Sequence, residues 1–175
     1  ARERVLEWHD PDPRGLDAVG GLDLLKNWLV TRKSALSQRA RAFGIPAPKG
    51  VMLVGVPGGG KSLTAKAVAT AWGVPLLRLD LGALKSKWVG ESEQNIRKAL
   101  SVAENVAPCV LWIDEIEKAL AGAQSESSGV SADALGSVLQ WMQERTAPVF
   151  VVATANSVTS LPPERSEEHR VGKEC

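Results

Sequence analysis

Cysteine is nearly missing: Cys109 and Cys175 are the only two in 175 residues. Two thiols cannot build a disulfide framework or fill a four-ligand zinc site. Cys109 opens an apolar run and reads as a small buried hydrophobe. An excess of one charge sign is missing too. Twenty-one Lys and Arg against 20 Asp and Glu leave a formal net charge of +1, which gives no general pull toward nucleic acid or acidic lipid. There is no basic run and no interleaving of basic with aromatic residues, which argues against a dedicated nucleic-acid surface. No apolar stretch approaches the roughly 18 residues of a membrane-spanning helix, so no membrane association is expected. The opening ARERVLEWHDPDPRG lacks the basic-then-apolar layout of a signal peptide. Together these absences point to a reducing, cytoplasmic-type compartment. Repeats and low-complexity segments are also absent. What is present is a globular balance of 44% apolar and 23% charged residues, with length enough for one domain and its core.

Pro11, Pro13 and Gly15 mark an irregular lead-in, so residues 1–14 are expected to be the remnant of an N-terminal linker. Leu22, Leu25, Trp28, Leu29 and Leu36 keep helical spacing. Pro46, Pro48 and Gly50 break the chain. Val51 to Val54 is a short apolar run and predicts a buried strand; a helix is expected from Lys61 to about Trp72. Pro75 to Leu81 predicts a second strand, Cys109 to Ile113 a third and Val149 to Thr154 a fourth. Between them, Ile96, Ala99, Leu100, Ala103 and Val106 form one apolar helical face, and Leu135, Val138, Leu139 and Met142 another. Apolar strands alternating with helices predict an α/β fold, a parallel sheet with helices on both faces. Ligands bind beyond the carboxyl ends of such strands, and the candidate functional residues fall there.

After the first of these strands comes Gly55-Val56-Pro57-Gly58-Gly59-Gly60-Lys61-Ser62, the phosphate-loop pattern G-x-x-x-x-G-K-[ST]. Glycines let the backbone wrap closely, so that successive N–H groups form an anion nest. The following helix adds the positive end of its dipole. Lys61 can reach the β- and γ-phosphates of a nucleotide, and the Ser62 hydroxyl can ligate Mg²⁺. Three glycines in a row are unusual, and Gly59 in particular is expected to make the loop more mobile.

The third strand ends in Asp114 and Glu115. In phosphate-loop enzymes an acid here holds Mg²⁺, usually through water, and an adjacent Glu can accept a proton from the attacking water. The pair therefore suggests Asp114 for metal and Glu115 for base, against the plainer reading of a solvated strand end. Asp80 also ends a strand, but without a neighbouring acid, and reads as structural. The fourth strand is apolar except for Thr154 and is followed by Asn156. An amide placed between the phosphate-loop strand and the acidic strand could bond the γ-phosphate or the lytic water. Asn156 followed by Ser157 could equally start a turn.

GVPGGGKS, VLWIDE and VVATAN resemble the Walker A, Walker B and sensor 1 motifs of AAA+ ATPases. Residues Lys85 to Leu100 and Val19 to Leu29 resemble the AAA clade that includes katanin and spastin. GVMLVGVPGGGKSLTAKAVA, LLRLDLG, APCVLWIDEIEKA and PVFVVATAN are most similar to one subgroup, the hypothetical chloroplast reading frame forty-six proteins of cyanobacteria, plastids and other bacteria. The resemblance runs from about Gly15 to Glu164 and implies a P-loop NTPase core with ATP and Mg²⁺ as its ligands. It places the protein in the bacterial cytoplasm or plastid stroma. It assigns catalytic roles to Lys61, Glu115 and Asn156, and Mg²⁺ to Ser62 and Asp114. Nucleotide contacts fall on Asp17, Val19 and Gly20 around the adenine, and on Pro57, Gly58, Gly59, Gly60, Lys61, Ser62 and Leu63 in and after the loop. It makes Lys87, Trp88 and Val89 a pore loop in a hexameric ring of identical subunits, where Trp88 would grip a polypeptide client. Trp88 could instead be a core or edge aromatic.

The resemblance implies a strand order of five-one-four-three-two. The fifth strand, the arginine fingers and a helical lid would follow LPPE and are expected to be missing. RSEEHRVGKEC, from Arg165 to Cys175, resembles with one residue different the translation of a common sequencing-library adapter, so residues 15–164 are expected to be an incomplete nucleotide-binding core and 165–175 a non-native tail. Two functions are consistent with these residues: an ATPase that remodels a protein partner, or a nucleotide-gated assembly module that hydrolyses slowly. A small-molecule kinase would need an acceptor-binding lid and no Lys87-Trp88-Val89 loop.

Overall fold

Residues 5–81, 91–116 and 132–156 are described by a computed structural model. Leu6–His9 forms a first strand, β1, and Gly15–Ala18 a single 3₁₀ turn. Helix α1 spans Asp23–Lys33 and turns Leu25 and Leu29 inward; Leu36, the last position of the apolar spacing, sits in a 3₁₀ turn over Ser34–Leu36. A short α2 (Gln38–Ala42) leads to β2 (Gly50–Val54). Gly50 is part of this strand rather than a break before it, paired with Val151, and a β-carbon there would run into the Val151 carbonyl. Helix α3 (Lys61–Trp72) ends on Gly73, whose left-handed φ of 67° lets its N–H bond back to the last turn. Then come β3 (Leu76–Leu79), α4 (Glu91–Val106), β4 (Cys109–Ile113), α5 (Ala132–Glu144) and β5 (Val149–Ala155).

The sheet order is β1-β3-β4-β5-β2. β2, β5, β4 and β3 are mutually parallel, in the order the family resemblance implies for the first four strands. β1 corrects the expectation of a purely parallel sheet with an irregular lead-in. It pairs antiparallel with β3, and the Asp80 N–H extends the pairing with a 2.9 Å bond to the Val5 carbonyl. On the other side, β2 has β5 as its neighbour and, among the described residues, no strand beyond it.

Side chains alternate across the strands, so each continuous apolar run feeds two cores. Leu76, Val110, Trp112, Phe150 and Val152 face α1 and α3, together with Leu25, Leu29, Val68 and Trp72. Phe150 lies 4.5 Å from the Trp72 ring and 6.1 Å from Trp28, centroid to centroid. Leu77, Leu79, Leu111, Ile113, Val151 and Ala153 face the opposite way, onto Ile96, Leu100, Ala103 and Val138 of α4 and α5. On that second face β2 presents Met52 and Val54, both exposed. Cys109 is buried as expected, and burial pushes its thiol up to about 11. Arg145 is also buried; it donates to the carbonyls of Met142, Val149 and Lys49, and so ties the start of β5 to the start of β2.

Candidate functional site

β5 separates β2 from β4, so whatever ends β5 lies between the turns that leave the other two. Register makes the level explicit. Leu53 is opposite Thr154 and Ile113 opposite Ala153, so Asp114, the next residue along β4, stands level with Thr154. The Gly55 N–H donates to the Ala155 carbonyl at 3.1 Å, which anchors the start of the glycine loop to the end of β5.

The loop conformation follows from its glycines. Gly58 (φ 82°) and Gly60 (φ 77°) occupy the left-handed region that side chains disfavour. Gly59 does not; its N–H closes a turn onto the Val56 carbonyl at 3.2 Å, and a β-carbon there would stand only 3.1 Å from that carbonyl oxygen, so the turn is tight around it. Lys61 opens α3 and folds its ammonium back over the loop, donating to the carbonyls of Gly55 at 2.7 Å and Val56 at 2.8 Å. A fixed cation thus stands at the mouth of the loop, beside the amino-terminal end of a twelve-residue helix. Ser62 and Leu63, partly buried, occupy that helix's first turn. Val19 is buried just after the 3₁₀ turn of Gly15–Ala18, which lies against α3, while Asp17 and Gly20 are exposed.

The two acids and the amide come together around one hydroxyl. Thr154, fully buried, donates to Asp114 Oδ1 at 2.5 Å and accepts from the Glu115 N–H at 3.1 Å. Asn156 Nδ2 donates to Glu115 Oε1 at 3.2 Å. Glu115 has a φ of 50°, a left-handed conformation costing a non-glycine residue about 1–2 kcal/mol. The bond its N–H donates to the Thr154 hydroxyl supports that conformation. On the other side of Asp114, Arg78 Nη2 lies 3.9 Å from Oδ2. Donors of this kind suit a hard divalent cation with phosphate: carboxylate and hydroxyl oxygens for the metal, a cation and backbone N–H groups for the anion.

The structure therefore brings Asp114, Glu115 and Asn156 together and seats Lys61 over the glycine loop. Lys87, Trp88 and Val89 lie outside the described residues, as do residues 157–175. Sequence reasoning missed Thr154 and Arg78. Their signal was present, since each is the one polar residue in an otherwise apolar strand. We predict that Thr154→Val, which keeps the shape and removes the hydroxyl, leaves two polar groups without this partner. Stability should fall by about 1–3 kcal/mol. Urea unfolding checks this, and an unchanged midpoint would show that the hydroxyl contributes nothing.

Residues 51–175 match the family described as "ATPase family associated with various cellular activities (AAA)". The chain is 52% identical over 153 residues to an uncharacterized AAA domain-containing protein ycf46 of Pyropia yezoensis, covering 87% of this chain and 31% of the relative. It is 47% identical over 165 residues to the protein of the same name from Guillardia theta, covering 94% and 32%. It thus spans about a third of these curated relatives. Among solved structures it is similar to the FIGL-1 AAA domain in complex with ADP, at 28% identity and a TM-score of 0.67, covering 91% of this chain and 54% of that one. By family match, sequence identity and fold alike, this chain belongs to the AAA family of ATPases.

Proposed function

We infer that this chain binds Mg-ATP on the Gly55–Ser62 loop and turns it over only weakly by itself, and that in the whole protein a hexameric ring hydrolyses ATP to remodel a protein partner. The observation that carries the hydrolytic part is the cluster Asp114–Thr154–Glu115–Asn156 at the end of β4 and β5, beside the strand that leads into the loop. The loop N–H groups and Lys61 hold the phosphates. Ser62 and Asp114 supply oxygen to the metal, and Asp17, Val19 and Gly20 flank the adenine. Bound Mg²⁺ would neutralise charge on the β- and γ-phosphates. Glu115 takes a proton from the attacking water, and Asn156 holds the Glu115 carboxylate and orients that water. Phosphate release by the full-length protein, with Mg²⁺ and with EDTA, tests the reading; no Mg²⁺-dependent release would refute it.

Remodelling rests on Lys87, Trp88 and Val89 as a gripping loop, aromatics being common at gripping contacts. In the full-length protein, Trp88→Ala should leave basal hydrolysis within about twofold and abolish ATP-driven unfolding of a labelled protein client. Continued unfolding by that variant would remove the pore loop from the mechanism. The compartment carried by this reading is bacterial cytoplasm or plastid stroma. No helix among the described residues is long and apolar enough to cross a membrane.

A further inference from the structure

Arg78 interrupts β3 between leucines that are fully buried. A guanidinium set into a sheet face loses hydration, and that cost is offset only where partners surround it. Its partners come from both neighbouring strands. It lies opposite Trp112 on β4 and Glu7 on β1. The guanidinium carbon stands 5.2 Å from the centre of the Trp112 ring. Nη1 is 3.7 Å from Glu7 Oε2 and Nη2 is 3.9 Å from Asp114 Oδ2. His9 Nε2 is 3.6 Å from the same Glu7 oxygen and its ring meets Trp112 edge-on. One charged plate is therefore shared between two carboxylates at nearly equal distance. One of them belongs to the antiparallel strand that the sequence did not announce, the other to the acid at the end of β4.

Asp114 thus has one hydrogen-bonded neighbour and one charged neighbour at 3.9 Å, on opposite oxygens. Thr154 on β5 engages Oδ1, and Arg78 on β3 faces Oδ2. We propose that Arg78 is a positioning residue for Asp114: it orients the carboxylate toward the glycine loop and shares its charge, while Glu7 of β1 and the Trp112 ring hold the guanidinium in place. The inference rests on the reading that Asp114 helps hold the Mg²⁺ of Mg-ATP. Groups that orient a metal-binding carboxylate commonly change metal affinity by tenfold or more when removed. The planar fork also stacks and bridges in a way a lysine cannot reproduce.

The test is calorimetric titration of the full chain with ATP, once in EDTA and then across a Mg²⁺ series, for the unaltered protein, Arg78→Met and Arg78→Lys. Thermal melting is followed in parallel. Arg78→Met should leave ATP affinity in EDTA within about twofold and raise the Mg²⁺ concentration for half-maximal tightening by about tenfold. Arg78→Lys, which keeps a cation near Oδ2, should shift that midpoint less, and it decides the matter if the Met variant does not fold. A midpoint unmoved in the folded variants, with only the melting temperature lowered, would make Arg78 structural and overturn the proposal. So would an equal loss of affinity in EDTA and in Mg²⁺. If the unaltered protein bound no ATP under either condition, the nucleotide reading itself would fall, and this inference with it.

Discussion

In the full-length protein, replacing Glu115 by Gln should leave ATP binding intact and slow hydrolysis by about a hundredfold or more, the usual scale for loss of a general base. The geometry explains why the substitution is clean. The backbone at Glu115 is held by the bond from its own N–H to Thr154, which the side chain does not share. Asn156 donates to Oε1, and the amide oxygen of a Gln can accept the same bond. Shape and placement persist while the proton acceptor is lost. Single-turnover phosphate release, alongside ATP titration, checks both halves. Hydrolysis at the unaltered rate would mean that another group activates the water. Loss of binding would mean that Glu115 supports the nucleotide site rather than the chemistry.

Lys61→Ala should reduce ATP affinity by more than about a hundredfold. The ammonium now donates to two loop carbonyls, and it is the charge the loop presents to an anion. With nucleotide bound the same ammonium would donate to phosphate oxygens instead, and two such charge-assisted bonds, at about 1.5–3 kcal/mol each, would account for a change of that size. Glycine conformations at 58 and 60 do not depend on this side chain, so the nest should keep its shape. Calorimetric titration of the variant with ATP in Mg²⁺ measures the loss. An affinity within tenfold of the unaltered protein would show that backbone N–H groups and the helix end hold the phosphates largely alone.

The two cores explain why the central strands were easy to read. Cys109–Ile113, and Val149–Ala155 apart from Thr154, are apolar because helices cover both faces, and no polar side chain is needed to meet water. β1 was harder. It is four residues long, carries Glu7 and His9, and lies among prolines and charges. Its polar residues looked like linker because the partner that accounts for them, Arg78, is on another strand. The expected pore loop and the C-terminal tail fall outside the described residues.

The glycine loop was legible in full because its properties are local. Consecutive glycines allow the left-handed turns at 58 and 60, the apolar run before them makes a strand, and the residues after them make a helix. Adjacent residues decide such a unit, so order along the chain is enough to find it. Asp114, Glu115 and Asn156 could be nominated on the same grounds, as polar ends of apolar strands. What bonds to them could not. Thr154 meets Asp114 across 40 positions of sequence, and Arg78 meets it from a third strand. Those contacts exist because crossovers set β5 beside β4 and β4 beside β3, in a register that puts the three strand ends side by side. Strand order and register come from how helices pack over the two faces, so the partners of the acids were decided only by the tertiary structure.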